Sequence, residues 1–243
     1  MSVAKTTATA QRVVGQLRND PRTIAMLLVV PAALMGLLSW IVSDADFDQY
    51  GPPLLGIFPL IVMFLVTSVA TLRERTSGTL ERLLSMPIGK RDFVLGYALA
   101  FGSFAVAQAF IVSGLSFGVF GLDVLGSPWL LLLVAIVDAL LGTALGLFVS
   151  AFATTEFQAV QFMPALILPQ LLLCGIVVPR DELPTALRLV SDLLPMSYAV
   201  DATMQVVVST TVTATYWTSL AIVAGFMVVS LTLGAATLRR RTA

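Results

Sequence analysis

Histidine is absent from the 243-residue chain, and cysteine occurs once, at Cys174. The first absence removes histidine metal sites, serine–histidine dyads and histidine proton relays together. The second removes any intramolecular disulfide. Charge is scarce as well: charged residues make up 12% of the chain, and 14 basic side chains balance 14 acidic ones. No G-x-x-x-x-G-K-[ST] phosphate loop is present, because Gly89-Lys90 is followed by arginine and lacks the earlier glycine. There is no H-E-x-x-H pair, and the serines have no plausible base beside them. No catalytic residue and no metal site are therefore expected.

What fills the chain instead is hydrocarbon. Apolar residues reach 58% and the mean hydropathy is +0.95, too little polar surface to cover a domain folded in water. Six runs, at about 24–42, 53–72, 93–120, 129–152, 157–178 and 217–238, approach or exceed the roughly 20 residues that cross a bilayer. Backbone groups inside hydrocarbon must pair within their own segment, and runs this long and continuous do so as helices. The third run is long enough to tilt strongly or to extend beyond the hydrocarbon. Pro31, Pro59, Pro164 and Pro169 fall inside the runs, where neighbours must satisfy the carbonyls they free.

The basic residues are divided unequally. With six spans, all of them except Arg180 and Arg188 fall on one side, while Asp44, Asp46, Asp48, Asp123, Asp181, Glu182, Asp192 and Asp201 fall on the other. The positive-inside rule then places both termini in the cytosol of a multi-pass protein of the plasma (inner) membrane. Residues 1–21 carry Ala10, Val13, Val14 and Leu17 on one helical face, as in an amphipathic helix lying along the headgroups. A cleavable signal peptide ending near Ser43-Asp-Ala45 is the alternative, but its apolar stretch is longer than usual. Residues 179–215 form the one sizeable outer segment, with Leu183, Leu187, Val190 and Leu194 at helical spacing, predicting one or two short helices on or dipping into the outer leaflet.

The most distinctive segment is the charged connection 73–92. Thr76 and Ser77 can cap a short helix in which Leu80, Leu83 and Leu84 share one face, while Glu81 and Arg82 lie opposite and Pro87 ends the helix. Two turns are unstable without tertiary packing. Either a groove on a soluble partner supplies it, or the leucines dock on the protein's own bundle. Asp138 sits near the middle of the fourth run, where an ionisable group marks a substrate or proton site or makes an interhelical hydrogen bond. Gln108, Gln161 and Gln170 are candidates to line a translocation path, or act as polar glue between helices. Gly142-Thr-Ala-Leu-Gly146 and Gly114-Leu-Ser-Phe-Gly118 are patterns of close helix contact.

Two stretches carry a family resemblance. Arg73-Glu-Arg-Thr-Ser-Gly-Thr-Leu-Glu-Arg-Leu-Leu84, followed by Met86-Pro-Ile88, resembles the first cytosolic loop of ABC type-2 transporter permeases, which include daunorubicin-resistance, nodulation-factor and polysaccharide-export permeases. Leu183-Pro-Thr185 and Leu194-Pro-Met-Ser-Tyr-Ala-Val-Asp-Ala202 resemble the outer re-entrant region of that family, with Pro184, Pro195, Tyr198 and Asp201 in its motif. The order of elements agrees over essentially the whole chain.

The resemblance implies one permease domain over 1–243, an all-α membrane protein with six transmembrane helices, an amphipathic start, a cytosolic coupling helix and short outer re-entrant helices. It implies a second permease subunit, the same chain or a homologue, and two ATPase subunits on other chains that hold ATP and magnesium, with no cofactor on this chain. Arg73, Glu74, Gly78, Thr79, Leu80, Glu81, Leu83, Leu84 and Pro87 would form the ATPase-coupling segment, and family members are mostly exporters. Trp40, Trp129 and Trp217 fall at span ends, where interfacial anchoring accounts for them, so a hydrophobic drug or lipid is favoured over a glycan. The expected partners are thus ATPases, a second permease and membrane lipid, with no nucleic acid. A proton-coupled carrier using Asp138 is the main competing class, and a purely structural membrane protein is the third.

Overall fold

A computed structural model describes residues 3–77 and 89–237, with the side chains of Lys90 and Arg91 excepted. The described chain is helical: α1 (Val3–Arg18), α2 (Pro21–Ile41), α3 (Asp44–Thr76), α4 (Lys90–Gly118), α5 (Pro128–Val149), α6 (Glu156–Leu173), α7 (Thr185–Ser191), α8 (Pro195–Val208) and α9 (Ala214–Thr237). A single 3-10 turn, Arg180–Glu182, precedes α7. Six helices, α2, α3, α4, α5, α6 and α9, are long and apolar enough to cross a membrane. The all-α, six-span architecture read from hydropathy is the one observed.

Local chemistry starts these helices. Pro21 opens α2 behind Asp20, whose carboxylate accepts the Thr23 N–H at 3.2 Å and the Thr23 hydroxyl at 2.6 Å. Those bonds hold the Asp20 carboxyl below the usual range. Ser43 caps α3 by accepting from Asp46 N–H, and Thr155 caps α6 by accepting from Gln158 N–H.

At the centre, α3 lies on α5, and these are the most buried of the six. Asp138, Gly142 and Gly146 recur every four residues along α5 and meet Gly56, Leu60 and Phe64, which recur every four along α3. Both series ascend together, so the two helices run parallel. Gly142 lies directly on the Leu60 carbonyl, and a Cβ added to Gly146 would stand 2.7 Å from the Phe64 carbonyl oxygen. The first small-xxx-small pattern thus seats a helix within the subunit, whereas Gly114 and Gly118 face open space. Around this pair α2, α6 and α9 expose most of their apolar surface.

The structure revises several expected boundaries. Helix α3 starts nine residues before the expected 53–72 run, at Asp44, and continues to Thr76. Arg73, Glu74, Arg75 and Thr76 therefore form the last turn of a spanning helix, not the start of a loop. Ser77 is the C-cap of α3, its N–H bonded to the Arg73 carbonyl at 2.9 Å, and the Thr76 hydroxyl donates back to Leu72 O; the short helix they are expected to cap lies outside the described residues. Basic residues at this helix end complement its dipole, which favours continuation. Helix α6 stops at Leu173, and Gly175 takes the left-handed φ of 101° that turns the chain away. Within the outer segment α7 is exposed as expected, but α8 buries Met196, Ala199, Val200, Ala202 and Val206 among α3, α5 and α9.

Candidate functional site

Three groups of polar residues stand out against the apolar bundle: one at the basic end, one inside it, and one at the acidic end.

At the basic end, α1 lies across the start of α4, burying Thr6, Thr9, Val13 and Leu17 against Phe93, Val94 and Tyr97. Gly96 permits this approach, since a Cβ there would collide with the Thr9 side chain. From α1, Arg12 donates to both Glu74 oxygens, at 2.9 and 3.0 Å, and to the Tyr97 hydroxyl at 2.8 Å. A bidentate guanidinium–carboxylate pair with a third bond fixes geometry as well as energy. One side chain thus ties α1, the end of α3 and the start of α4. Beside it Arg73 pairs with Glu156 of α6 at 2.7 and 2.9 Å, and Arg75 donates to the Ser150 carbonyl after α5. At the start of α4, Asp92 accepts the Gly89 N–H at 3.3 Å. Gly78, Thr79, Leu80, Glu81, Leu83, Leu84 and Pro87 lie outside the described residues. The described members of the expected coupling segment, Arg73 and Glu74, are engaged in holding the end of α3 to α1 and α6.

Inside the bundle the four candidates for a translocation path do not come together. Gln108 of α4 is fully buried and its amide donates to the Leu27 carbonyl of α2. Asp138 is buried against Gly56, and its Oδ1 has no hydrogen-bond partner. Gln170 donates to Leu166 O at 2.9 Å and accepts the Met196 N–H at 3.4 Å, linking α6 to the first turn of α8. Gln161 is exposed on α6.

At the acidic end Arg180 binds Asp192 and Asp201, and its guanidinium lies 5.4 Å from the centre of the Tyr198 ring. Burial pushes the Asp201 carboxyl above its usual range, opposed by Arg180. The Tyr198 hydroxyl donates to the Asp192 carbonyl at 2.7 Å. Pro184 precedes α7 as its cap residue and Pro195 opens α8. The second motif thus builds one ionic cluster from three short elements. Sequence reading singled out Asp201 and Tyr198 but assigned no role to Arg180 or Arg12. For Arg180 a signal existed, its place as one of two basic residues on the acidic side.

Residues 6–208 match the family described as ABC-2 type transporter. The chain belongs to that family. Among curated proteins, this ABC-2 chain is 27% identical over 183 residues to the "Probable multidrug ABC transporter permease YbhR" of Escherichia coli K12, covering 75% of the chain and 50% of that protein. It is 28% identical over 145 residues to the "Inner membrane transport permease YhhJ" of the same strain, covering 58% and 38%. To "ABC transporter G family member 20" of Dictyostelium discoideum it is 26% identical over 137 residues, covering 56% and 19%. The chain spans about half the length of YbhR. Family membership and six membrane-length helices make it a multi-pass membrane subunit of an ABC transporter.

Proposed function

We propose that this ABC-2 chain forms, with a second permease subunit, the path by which a hydrophobic or amphipathic substrate is exported. ATPase subunits on separate chains energise the cycle and hold ATP and magnesium. The basic end faces the cytosol, following the charge asymmetry, and the 73–92 segment seats in a cleft of the ATPase.

The observation that carries this reading is the anchoring of that segment's root. Its first residues are the last turn of α3, tied by Glu74 to Arg12, which also donates to Tyr97, and by Arg73 to Glu156. The body of α3 is in backbone contact with α5. A displacement of the segment is therefore delivered to the packed centre of the subunit, as a switch between two packings requires. The relatives named as multidrug and transport permeases support an exported small molecule. Trp40, Trp129 and Trp217 all stand exposed at helix ends, which supports a hydrophobic cargo over a glycan that would stack on buried rings.

Affinity purification of the tagged chain from its own host in mild detergent tests the proposal. A Walker-motif ATPase should co-purify with the wild type and be lost from a Leu83→Asp, Leu84→Asp double variant that still inserts into the membrane. Recovery of the chain alone, folded and inserted, would sink it.

A further inference from the structure

Helix α7 carries its apolar face away from the subunit. Ser191 is its one buried residue, and the Ser191 hydroxyl donates to the carbonyl of Leu173, the end of α6, at 2.8 Å. At about 100° per residue, Arg188 and Asp192 fall on either side of a line close to Ser191, and both border the cleft beside α8. Exposure rises with angular distance from Ser191. Leu187, about 40° away, is 43% exposed; Val190, about 100° away, is 45% exposed; Leu189, about 160° away, is 63% exposed. Leu193, just past the helix, reaches 72%. The pole of α7 farthest from the protein is thus a pair of leucines, whereas a helix lying in water on its own subunit turns its polar arc outward. Seven residues do not hold a helix by themselves, and the subunit packs this one only along its polar side.

We infer that the Leu189–Leu193 face of α7 is seated in the hydrocarbon edge of the leaflet at the acidic end. Two observations make lipid the occupant. The face continues a surface that already meets lipid: α6, a helix of membrane length, exposes Leu168 and Leu172 in its last turns, and Val177 is exposed between α6 and the Arg180 turn. The bond from Ser191 to Leu173 also sets α7 at the depth where that span ends, which is the membrane interface. Seated this way, α7 takes no charge into hydrocarbon, because Arg188 and Asp192 stay on the side of the cleft and Arg180 pairs with Asp192 and Asp201. This is an interfacial amphipathic helix whose polar arc faces protein instead of water. Ser191 moors it to the end of α6, and Arg180 moors it to Asp201 of α8. The inference does not depend on the ATPase-coupling reading, because it needs only the inserted chain.

Nitroxide labels on the full chain in phosphatidylcholine proteoliposomes provide the test. They are introduced by Leu189→Cys, Leu193→Cys, Arg188→Cys and Thr185→Cys, one at a time, and the unsubstituted chain, whose single Cys174 is buried, gives the labelling background. Molecular oxygen concentrates in hydrocarbon and a neutral nickel chelate, supplied on both sides of the bilayer, concentrates in water. The ratio of their collision rates therefore reads depth. It should be severalfold higher at the two leucine positions than at the Arg188 and Thr185 positions, and either leucine position carries the test if the other variant folds poorly. A ratio at the leucines equal to or below that of the polar arc means that water covers the face, and overturns the inference. Exclusion of both reagents from the leucine positions overturns it as well. Dipolar broadening that vanishes on dilution with unlabelled chain would then give the face to a second copy.

Discussion

The side-chain amide of Gln108 donates to the main-chain carbonyl of Leu27, the carbonyl that Pro31 leaves without its helical partner. Proline at 31 has no N–H to return to residue 27, and hydrocarbon offers no water to replace it. Gln108, on a different helix, fills the vacancy and thereby holds α4 to α2. Its own Oε1 remains without a partner.

Replacing Gln108 with leucine should therefore destabilise the subunit by about 1–3 kcal/mol, the cost of an unsatisfied buried carbonyl. In a Pro31→Ala background the same replacement should cost clearly less, because an alanine there restores the missing N–H. A double-mutant cycle on unfolding midpoints in detergent checks this. Equal costs in both backgrounds would mean that Gln108 acts elsewhere.

The contact between α3 and α5 makes a sharper steric demand. Gly142→Ala and Gly146→Ala should each cost about 1–3 kcal/mol as the helices are forced apart. Gly114→Ala, facing open space, should be neutral. Size-exclusion profiles and unfolding midpoints of the three variants separate these outcomes. Similar losses from all three would argue against a special α3–α5 seam.

Hydropathy made the six spans legible, because a bilayer rewards unbroken apolar runs whatever their partners. The ends were not legible. Arg73, Glu74 and Arg75 read as loop because they are charged, yet their charges are answered by Glu156, Arg12 and the Ser150 carbonyl, which lie far away in sequence. Gln108 and Gln170 read as cavity residues for a related reason: a glutamine that lines a path and one that satisfies a neighbour's backbone look alike until the partner helix is in place. The burial of α8 escaped notice because its apolar face has the same spacing as a helix lying in a leaflet.

Arg12 and Glu74, 2.9 Å apart, should matter far more than the neighbouring pair at 2.7 Å. Their side chains are 29% and 14% exposed, against 61% and 51% for Arg73 and Glu156. Arg12→Ala strands a nearly buried carboxylate and should cost about 3 kcal/mol. Arg73→Ala should cost less than about 1 kcal/mol. If the root of the 73–92 segment transmits force, Arg12→Ala should also lower substrate-stimulated ATP hydrolysis in the reconstituted complex. The exchanged pair Arg12→Glu with Glu74→Arg should recover part of it. Unchanged coupling in a folded Arg12→Ala complex would confine Arg12 to stability.

Asp138 divides the exporter from the proton-coupled carrier. It presses one oxygen against Gly56 and leaves the other unpaired, on a seam where Gly142 and Gly146 lie against the α3 backbone. That seat is steric more than ionic, so Asp138→Asn, of nearly the same shape, should change stability by less than about 1 kcal/mol and leave ATP-driven transport largely intact. Gly56→Ala, which puts a methyl into the Asp138 carboxylate, should be the more damaging change. Shortening the carboxylate in an Asp138→Ala, Gly56→Ala double variant should relieve it. A carrier predicts the reverse order, with Asp138→Asn inactive in a subunit that folds and assembles normally and transport that collapses with the proton gradient. Proteoliposome transport, with ATP and the gradient varied independently, reads both. The steric argument fails if the asparagine variant is dead and the Gly56 variant is active.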